Sequence, residues 1–310
     1  MTSPAPVTWI DARDGVRLAE RRWTPDGAVR GTVQLVHGLS EHAGRYERLA
    51  GALTAQGFAV AALDQRGHGL TAESTGPGGF GEGATSDAVL DDVRELGERL
   101  AADHPGVPRF LLGHSLGSAV ALASAERDGA DLAGLVLSGP IGVAPQLAEA
   151  VPQLEAAVAG GMGEQPMDAL GAFNAPFEPA RTPYDWLTRD PAEVDAYLAD
   201  PRCGDDVPPT YRYGAGMFAL VTRAASPEGV AGLPDGLPVL LLAGQRDPVG
   251  GTDAAQVAAL ADLLRDRGLP VELRVYPDAR HEVFNETNRD EVVADLCTWL
   301  DARLEAAHAA

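Results

Sequence analysis

The sequence predicts an α/β fold: a mainly parallel central sheet with helices on both faces and a mainly helical insertion. Three observations carry that expectation. Short apolar runs without a polar face, such as "TVQLVHG", "FAVAALD" and "AGLVLSG", have the composition of strands covered on both sides. They alternate with segments whose apolar residues recur at helical spacing, such as "GRYERLAGALTAQG" and "DDVRELGERLAADHPG". The alternation lapses from about 144 to about 233, where Ala, Pro and Gly prevail, and then returns.

Taken in order, "VTWIDARDGVRLAERRW" reads as two short strands around the Asp14-Gly15 turn. "TVQLVHG" is a buried strand, "GRYERLAGALTAQG" a helix stopped by Gly57, and "FAVAALD" another buried strand. "DDVRELGERLAADHPG" is an amphipathic helix, "RFLLG" a strand, "SLGSAVALASAERDG" a helix and "AGLVLSG" a strand. In the irregular stretch, "RDPAEVDAYLADP" is a helix with Asp190 as N-cap, Pro191 at its first position, Glu193 closing a capping box and Pro201 as the stop. The earlier rhythm resumes with "LPVLLLAG" (strand), "GTDAAQVAALADLLRDRG" (helix), "VELRVYP" (strand) and "RDEVVADLCTWLDARLEAAH" (helix). A core of residues 1–143 and 234–310 is thus interrupted by an insertion over 144–233. An insertion of that length, leaving the C-terminal end of a strand, is expected to act as a lid. A separate small domain with no part in the site is the alternative.

With 310 residues, 45% of them hydrophobic, the chain can bury a large core. Its formal net charge of −21 opposes binding to nucleic acid or adsorption to anionic lipid, while leaving a neutral lipid substrate open. Cys203 and Cys297 form no C-x-x-C, which fits a reducing compartment. The N-terminus has no basic start or signal-like apolar run, and nowhere do about 18 apolar residues run together. The expectation is a cytoplasmic protein with no nucleic-acid partner and at most transient contact with a membrane or micelle surface.

Gly113-His114-Ser115-Leu116-Gly117 matches G-x-S-x-G, an unspecific pattern in a chain with 36 glycines. Its context is more telling. Ser115 falls where an apolar strand meets a helix that opens with small residues, the setting of a nucleophile on a tight turn. A Ser hydroxyl needs a base, and the base needs an orienting acid. In this architecture they follow in the order Ser, Asp or Glu, His, each just beyond the end of a later strand. Asp247 in "LPVLLLAGQRD" and His281 in "VELRVYPDARHE" meet that requirement. The other histidines fit less well: His37 and His68 precede the serine, His104 sits in a helix-end turn, His114 faces differently from its neighbour Ser115, and His308 lies in the tail. Among the acids, Asp253 belongs to a helix and Asp278 is too close to His281 to come from a separate strand. An acyl-transfer site also needs N–H donors for the oxyanion. The amide of Leu116 is one, and the amide of Leu39, in the loop "VHGLSEH", is the other.

Four stretches resemble the monoglyceride lipase and lysophospholipase branch of the α/β-hydrolases: "HGLSEHAGRY", "DQRGHG", "GHSLGS" and "ARHEVFNETNRDEV". The first is the most specific, and the likeness spans nearly the whole chain, weakest in parts of the insertion. The resemblance implies an α/β-hydrolase fold, a triad of Ser115, Asp247 and His281, an oxyanion hole from the Leu39 and Leu116 amides, and a cap over an apolar acyl tunnel. It further implies that Glu41 and Arg45 face the glycerol end of a substrate; a local ion pair holding the loop is the alternative. Leu116 and Ser118 stand where the family often has Met and Gly, and "GQRDPVGG" is less typical of it.

The expected activity is cleavage of carboxylic esters of single-acyl-chain lipids through an acyl-enzyme, with no cofactor and no metal. Two other readings stay open: the same triad acting on another ester, an amide or a C–C bond, or a non-catalytic protein of this fold that binds a ligand. "GPGGFG" follows no strand and opens no clear helix, which sets aside a dinucleotide site. "NET" at Asn285 matters as a glycosylation signal only in a secreted chain.

Overall fold

In a computed structural model, residues 5–309 are described, the side chains of the last few excepted. Residues 1–4 of the expected core and the His308 side chain lie outside them. An eight-stranded sheet forms the centre: β1 (Val7–Asp11), β2 (Arg17–Trp23), β3 (Gly31–Val36), β4 (Phe58–Leu63), β5 (Arg109–His114), β6 (Leu132–Ser138), β7 (Val239–Gly244) and β8 (Val271–Tyr276). The spatial order is β1-β2-β4-β3-β5-β6-β7-β8. β1 and β2 run antiparallel, as the hairpin signal at Asp14-Gly15 predicts, and every pairing from β4 to β8 is parallel. β3, β4 and β7 are buried at every position, which is why their sequences carry no polar face.

The helices are α1 (Glu47–Ala55), α2 (Ala72–Thr75), α3 (Ser86–Asp103), α4 (Leu116–Asp128), α5 (Pro145–Ala157), α6 (Pro191–Ala199), α7 (Tyr211–Ala224), α8 (Pro227–Val230), α9 (Ala255–Asp266) and α10 (Arg289–Ala309). Two apolar layers cover the sheet. One joins α3, α4, α7 and α9 through residues such as Val89, Val120, Met217, Leu220 and Val257; the other joins α1 and α10 through Leu49, Leu53, Leu296 and Trp299. This is the α/β-hydrolase fold.

Two local expectations are corrected. Glu193 does not close a capping box: its Oε1 accepts from Arg48 Nη1 at 2.6 Å, and the Asp190 N–H donates to Thr188 Oγ1. A cross-element ion pair has displaced a local bond, although Asp190 still caps α6 by accepting from Ala192 N. Asp253 lies in a one-turn 3₁₀ segment before α9, with φ 53°, rather than in the helix itself.

The order in which strands are added to the sheet reverses at β3, which lies between β4 and β5 with all three strands parallel. Loops leaving the carboxyl ends of β3 and β5 therefore diverge into one crevice, the place where open α/β sheets bind ligands. The loop after β3 carries Leu39, and the turn after β5 carries Ser115.

Candidate active site

Ser115 joins β5 to α4 with φ 53° and ψ −123°, a backbone conformation rarely adopted by a residue with a side chain. The turn is held on both sides. Ser115 N donates to Ser138 O of the adjoining strand at 2.9 Å, and Ser118 donates to Ser115 O from both its amide and its hydroxyl, the latter at 2.6 Å. Small residues are obligatory here: a Cβ at Gly113 would meet Gly117 O at 2.1 Å, and one at Gly117 would meet Val36 O and His37 O at 2.3 Å. The result is a half-buried serine at the mouth of the crevice, with α4 starting behind it.

His281 and Asp247 meet from the ends of β8 and β7. His281 Nδ1 lies 2.8 Å from Asp247 Oδ2, and Asp247 Oδ1 accepts from Val249 N at 2.8 Å. Both side chains are buried. Burial opposes protonation of His281, but the Asp247 carboxylate, helped by Glu282 and Glu41, outweighs it and leaves the imidazole above its ordinary value. β6 lies between β5 and β7, so the imidazole has to cross the end of that strand to approach the serine. Gly139 (φ 50°) makes the crossing possible: a Cβ there would meet His281 O at 2.7 Å and His281 Nδ1 at 3.2 Å. Among the described residues the Ser115 hydroxyl makes no hydrogen bond to His281, a contact that often tightens only with substrate bound.

The loop after β3 closes the other side. A Cβ on Gly38 would lie 3.1 Å from Ser115 Cβ, so the loop backbone runs directly beside the serine. His37 shapes it: Nε2 accepts from Gln65 N and Nδ1 donates to Gly38 O, both at 2.8 Å. No described residue takes up the Leu39 or the Leu116 N–H, so both remain available to an anion.

Glu41 and Arg45 form a buried network. Glu41 Oε1 accepts from Gly38 N at 2.5 Å and from the Tyr46 hydroxyl at 2.7 Å, and its Oε2 accepts from Arg45 at 2.7 Å. Arg45 then makes two bonds, of 2.6 and 2.8 Å, to Glu282, the residue after His281. Burial pushes Glu41 up, but Arg45 overrides it and holds the carboxyl at about 2. The loop carrying Leu39 is thereby tied to the loop carrying His281.

Three residues of this site were not singled out by the sequence. His114 is buried with its ring 4.8 Å from that of His281. Trp186, from the insertion, lies 5.0 Å from His281 on ring centroids. Glu282 anchors Arg45; its only sequence signal is an acid beside the histidine in "HEVF".

Among the described residues, the metal-capable side chains that converge are His42, Asp200 and Cys203, with ligand atoms within 4.8 Å of one another. Their chemistry argues against an ion. His42 Nδ1 accepts from Gly44 N, so Nε2 carries the proton that Asp200 Oδ2 receives at 2.8 Å, and no lone pair faces the cluster. Burial also pushes the Cys203 thiol far up, away from the thiolate that a metal requires. A cavity of 810 Å³ opens between residues 79–86, the end of α5 and the start of α7. Ser115, Asp247 and His281 do not line it, so it stands apart from the site built above.

Comparison with known proteins agrees with this architecture. Residues 27–288 match the family described as serine aminopeptidase, S33. The monoacylglycerol lipase of Mycolicibacterium smegmatis is 34% identical over 300 residues, covering 94% of this chain and 95% of the relative. The monoglyceride lipase of Homo sapiens is 32% identical over 290 residues, covering 89% and 86%. Among solved structures, a thermostable carboxyl esterase from Bacillus coagulans in complex with glycerol superposes with a TM-score of 0.90 at 30% identity, covering 98% of this chain and all of that one. The chain belongs to this serine aminopeptidase S33 family and, within the α/β-hydrolases, to the monoglyceride lipase branch.

Proposed function

We propose that the chain is a carboxylic ester hydrolase whose substrates are single-acyl-chain lipids of the monoacylglycerol or lysophospholipid kind. Ser115 attacks the ester carbonyl as His281 takes its proton, while Asp247 holds the imidazole in the tautomer whose free nitrogen faces the serine. The Leu39 and Leu116 amides receive the oxyanion, each such donor typically being worth about 3 kcal/mol. His281 then protonates the leaving alcohol, and water repeats the sequence on the acyl-enzyme. The observation that carries this reading is the strained, half-exposed serine lying beside two free backbone N–H groups at the edge that also holds the buried His281–Asp247 pair.

Apolar side chains that pack against the core while staying partly exposed supply a surface for the acyl chain: Leu39, Ile141, Val143 and Leu147. In this reading Glu41 and Arg45 act through the loops they hold rather than by touching the head group, because their polar atoms are already engaged by one another, Gly38, Tyr46 and Glu282. The family description favours a second reading, amide cleavage at a peptide amino terminus. Such a substrate calls for a free carboxylate, and the two carboxylates of this network are neutralised by Arg45. In this reading residues 144–233 act as the cap, and the two free cysteines fit the cytoplasm.

The test is Ser115→Ala. Turnover of a p-nitrophenyl ester and of monoacylglycerols should fall by about 10⁴-fold or more with the circular-dichroism spectrum unchanged. Hydrolysis near the unmodified rate would remove Ser115 from the mechanism.

A further inference from the structure

His281 is in contact with two rings. His114 lies on one contact at 4.8 Å, tilted by 47°, and Trp186 on another at 5.0 Å, tilted by 38°. Trp186 is fixed through its backbone and by packing. Its main-chain amide donates to Asn174 Oδ1 at 3.0 Å, Phe173 packs on its ring at 5.0 Å, and its carbonyl accepts from His281 N at 3.4 Å, while the buried indole Nε1–H has no partner among the described residues. Next to it, Leu187 O accepts from Glu282 N at 2.7 Å. The segment carrying Trp186 is thus paired, backbone to backbone, with the segment carrying the base.

We propose that Trp186 is a positioning residue for the base: its indole packs on the His281 ring, which His114 also contacts, and its π-electrons favour the imidazolium that forms when the Ser115 proton is taken. This rests on the reading of Ser115, His281 and Asp247 given above and extends it to the insertion, which then supplies part of the base's surroundings as well as a cover. A cation within about 6 Å of an indole centroid is attracted by the ring, most strongly where water is excluded, and both side chains here are only 2% exposed. The other groups facing His281 are Asp247 from the loop after β7, Glu282 on its own loop, Glu41 with its partner Arg45 from the loop after β3, and His114 from β5. Burial, reinforced by the charge of His281, pushes His114 down to about 4, so it stays neutral and does not compete for the proton at neutral pH.

The test reads the acid limb of kcat/KM against pH for a p-nitrophenyl ester. Trp186→Leu removes the π-face, and the limb should move to lower pH by about half a unit to one unit, with kcat reduced. Trp186→Phe should restore most of both. A limb that stays in place while kcat falls would reduce Trp186 to ordinary packing and overturn the proposal. Should Trp186→Leu fail to fold, incorporation of fluorinated tryptophans keeps the shape while draining the π-face. The chain has four tryptophans, and among them Trp186 is the one in ring contact with His281. The limb should then fall stepwise with fluorine number, and a flat response overturns the proposal. The underlying assignment fails separately: activity in Ser115→Ala would sink the triad, whereas an inactive Ser115→Ala with an unresponsive limb sinks only the role of Trp186.

Discussion

Replacing Arg45 by Met should destabilise the protein in a way that grows with pH. The guanidinium makes three short bonds, one to Glu41 and two to Glu282, and the three side chains are 11%, 4% and 5% exposed. Met keeps most of the apolar stem but leaves two buried carboxylates facing each other. Removing one partner of a buried ion pair costs about 3–5 kcal/mol. The ionisation of Glu41 gives a similar figure: burial alone would raise it, yet with Arg45 dominant among the opposing groups it is held at about 2 rather than 4.5, worth about 3 kcal/mol. The sign follows from linkage. A depressed folded value contributes stability above the unfolded value of 4.5, and that contribution is lost as pH falls through about 2. Without Arg45 the folded values of Glu41 and Glu282 rise above the unfolded ones, so stability is lost as pH climbs through and beyond 4.5. The deficit of Arg45→Met should therefore be smallest near pH 2, where the wild-type contribution is gone, reach about 2–3 kcal/mol by pH 4, and grow further toward pH 7 as the two unpaired carboxylates resist ionisation. Urea unfolding followed by circular dichroism from pH 2 to pH 8 measures it. A deficit below about 1 kcal/mol at pH 7, or one independent of pH, would refute the reasoning. A raised KM with unchanged stability would return Arg45 to the substrate.

Two further outcomes are expected. Asp247→Asn should cut kcat by about 10⁴-fold, because the amide stabilises the wrong imidazole tautomer, and the acid limb of the residual kcat/KM should move below its wild-type position, since the group that raises His281 is gone; a limb that does not move would show another carboxylate in control. Gly139→Ala should lower kcat by at least about 10²-fold, because its Cβ would press on His281 O and the ring while φ 50° resists any side chain; full activity in a p-nitrophenyl ester assay would mean that His281 does not cross the end of β6.

The sequence announces the strands and the turn at Ser115 because their causes are local. Two-sided burial writes an unbroken apolar run, and the close approach of Gly117 to Gly113, and of the end of β3 to Gly117, leaves room for nothing larger than hydrogen on either. The chain order of Ser115, Asp247 and His281 is legible for the same reason: each follows the end of a recognisable strand. His114, Trp186 and Glu282 are not legible, because what they touch depends on the path of the insertion and the tilt of loops. His114 illustrates the limit. Its opposition to Ser115 along the chain suggests a side chain turned away from the site, but the chain returning from β8 brings His281 to meet it. Glu193 shows the converse, a local rule overridden when Arg48 from α1 arrives as a stronger partner.

The insertion is held unevenly, and that bears on how a substrate enters. Residues 186–207 are bonded to both catalytic loops: Leu187 O to Glu282 N, Thr188 Oγ1 to Asn285 O, the Tyr197 hydroxyl and Gly204 N to Ser40 O, and Ser40 Oγ to Val207 O. Moving this segment would drag the Leu39 loop and His281 with it, dismantling the arrangement that the reaction requires. α5 is different. None of its residues is buried, and its apolar stripe of Leu147, Ala150, Val151 and Leu154 is only half covered. A left-handed Gly161 (φ 94°) follows it, and beyond that Gly163 O is fixed by Arg212 N. Local opening is drawn from segments with few buried contacts. Access to Ser115 is therefore expected through displacement of residues 145–162, while the wall carrying Trp186 stays in place against the base.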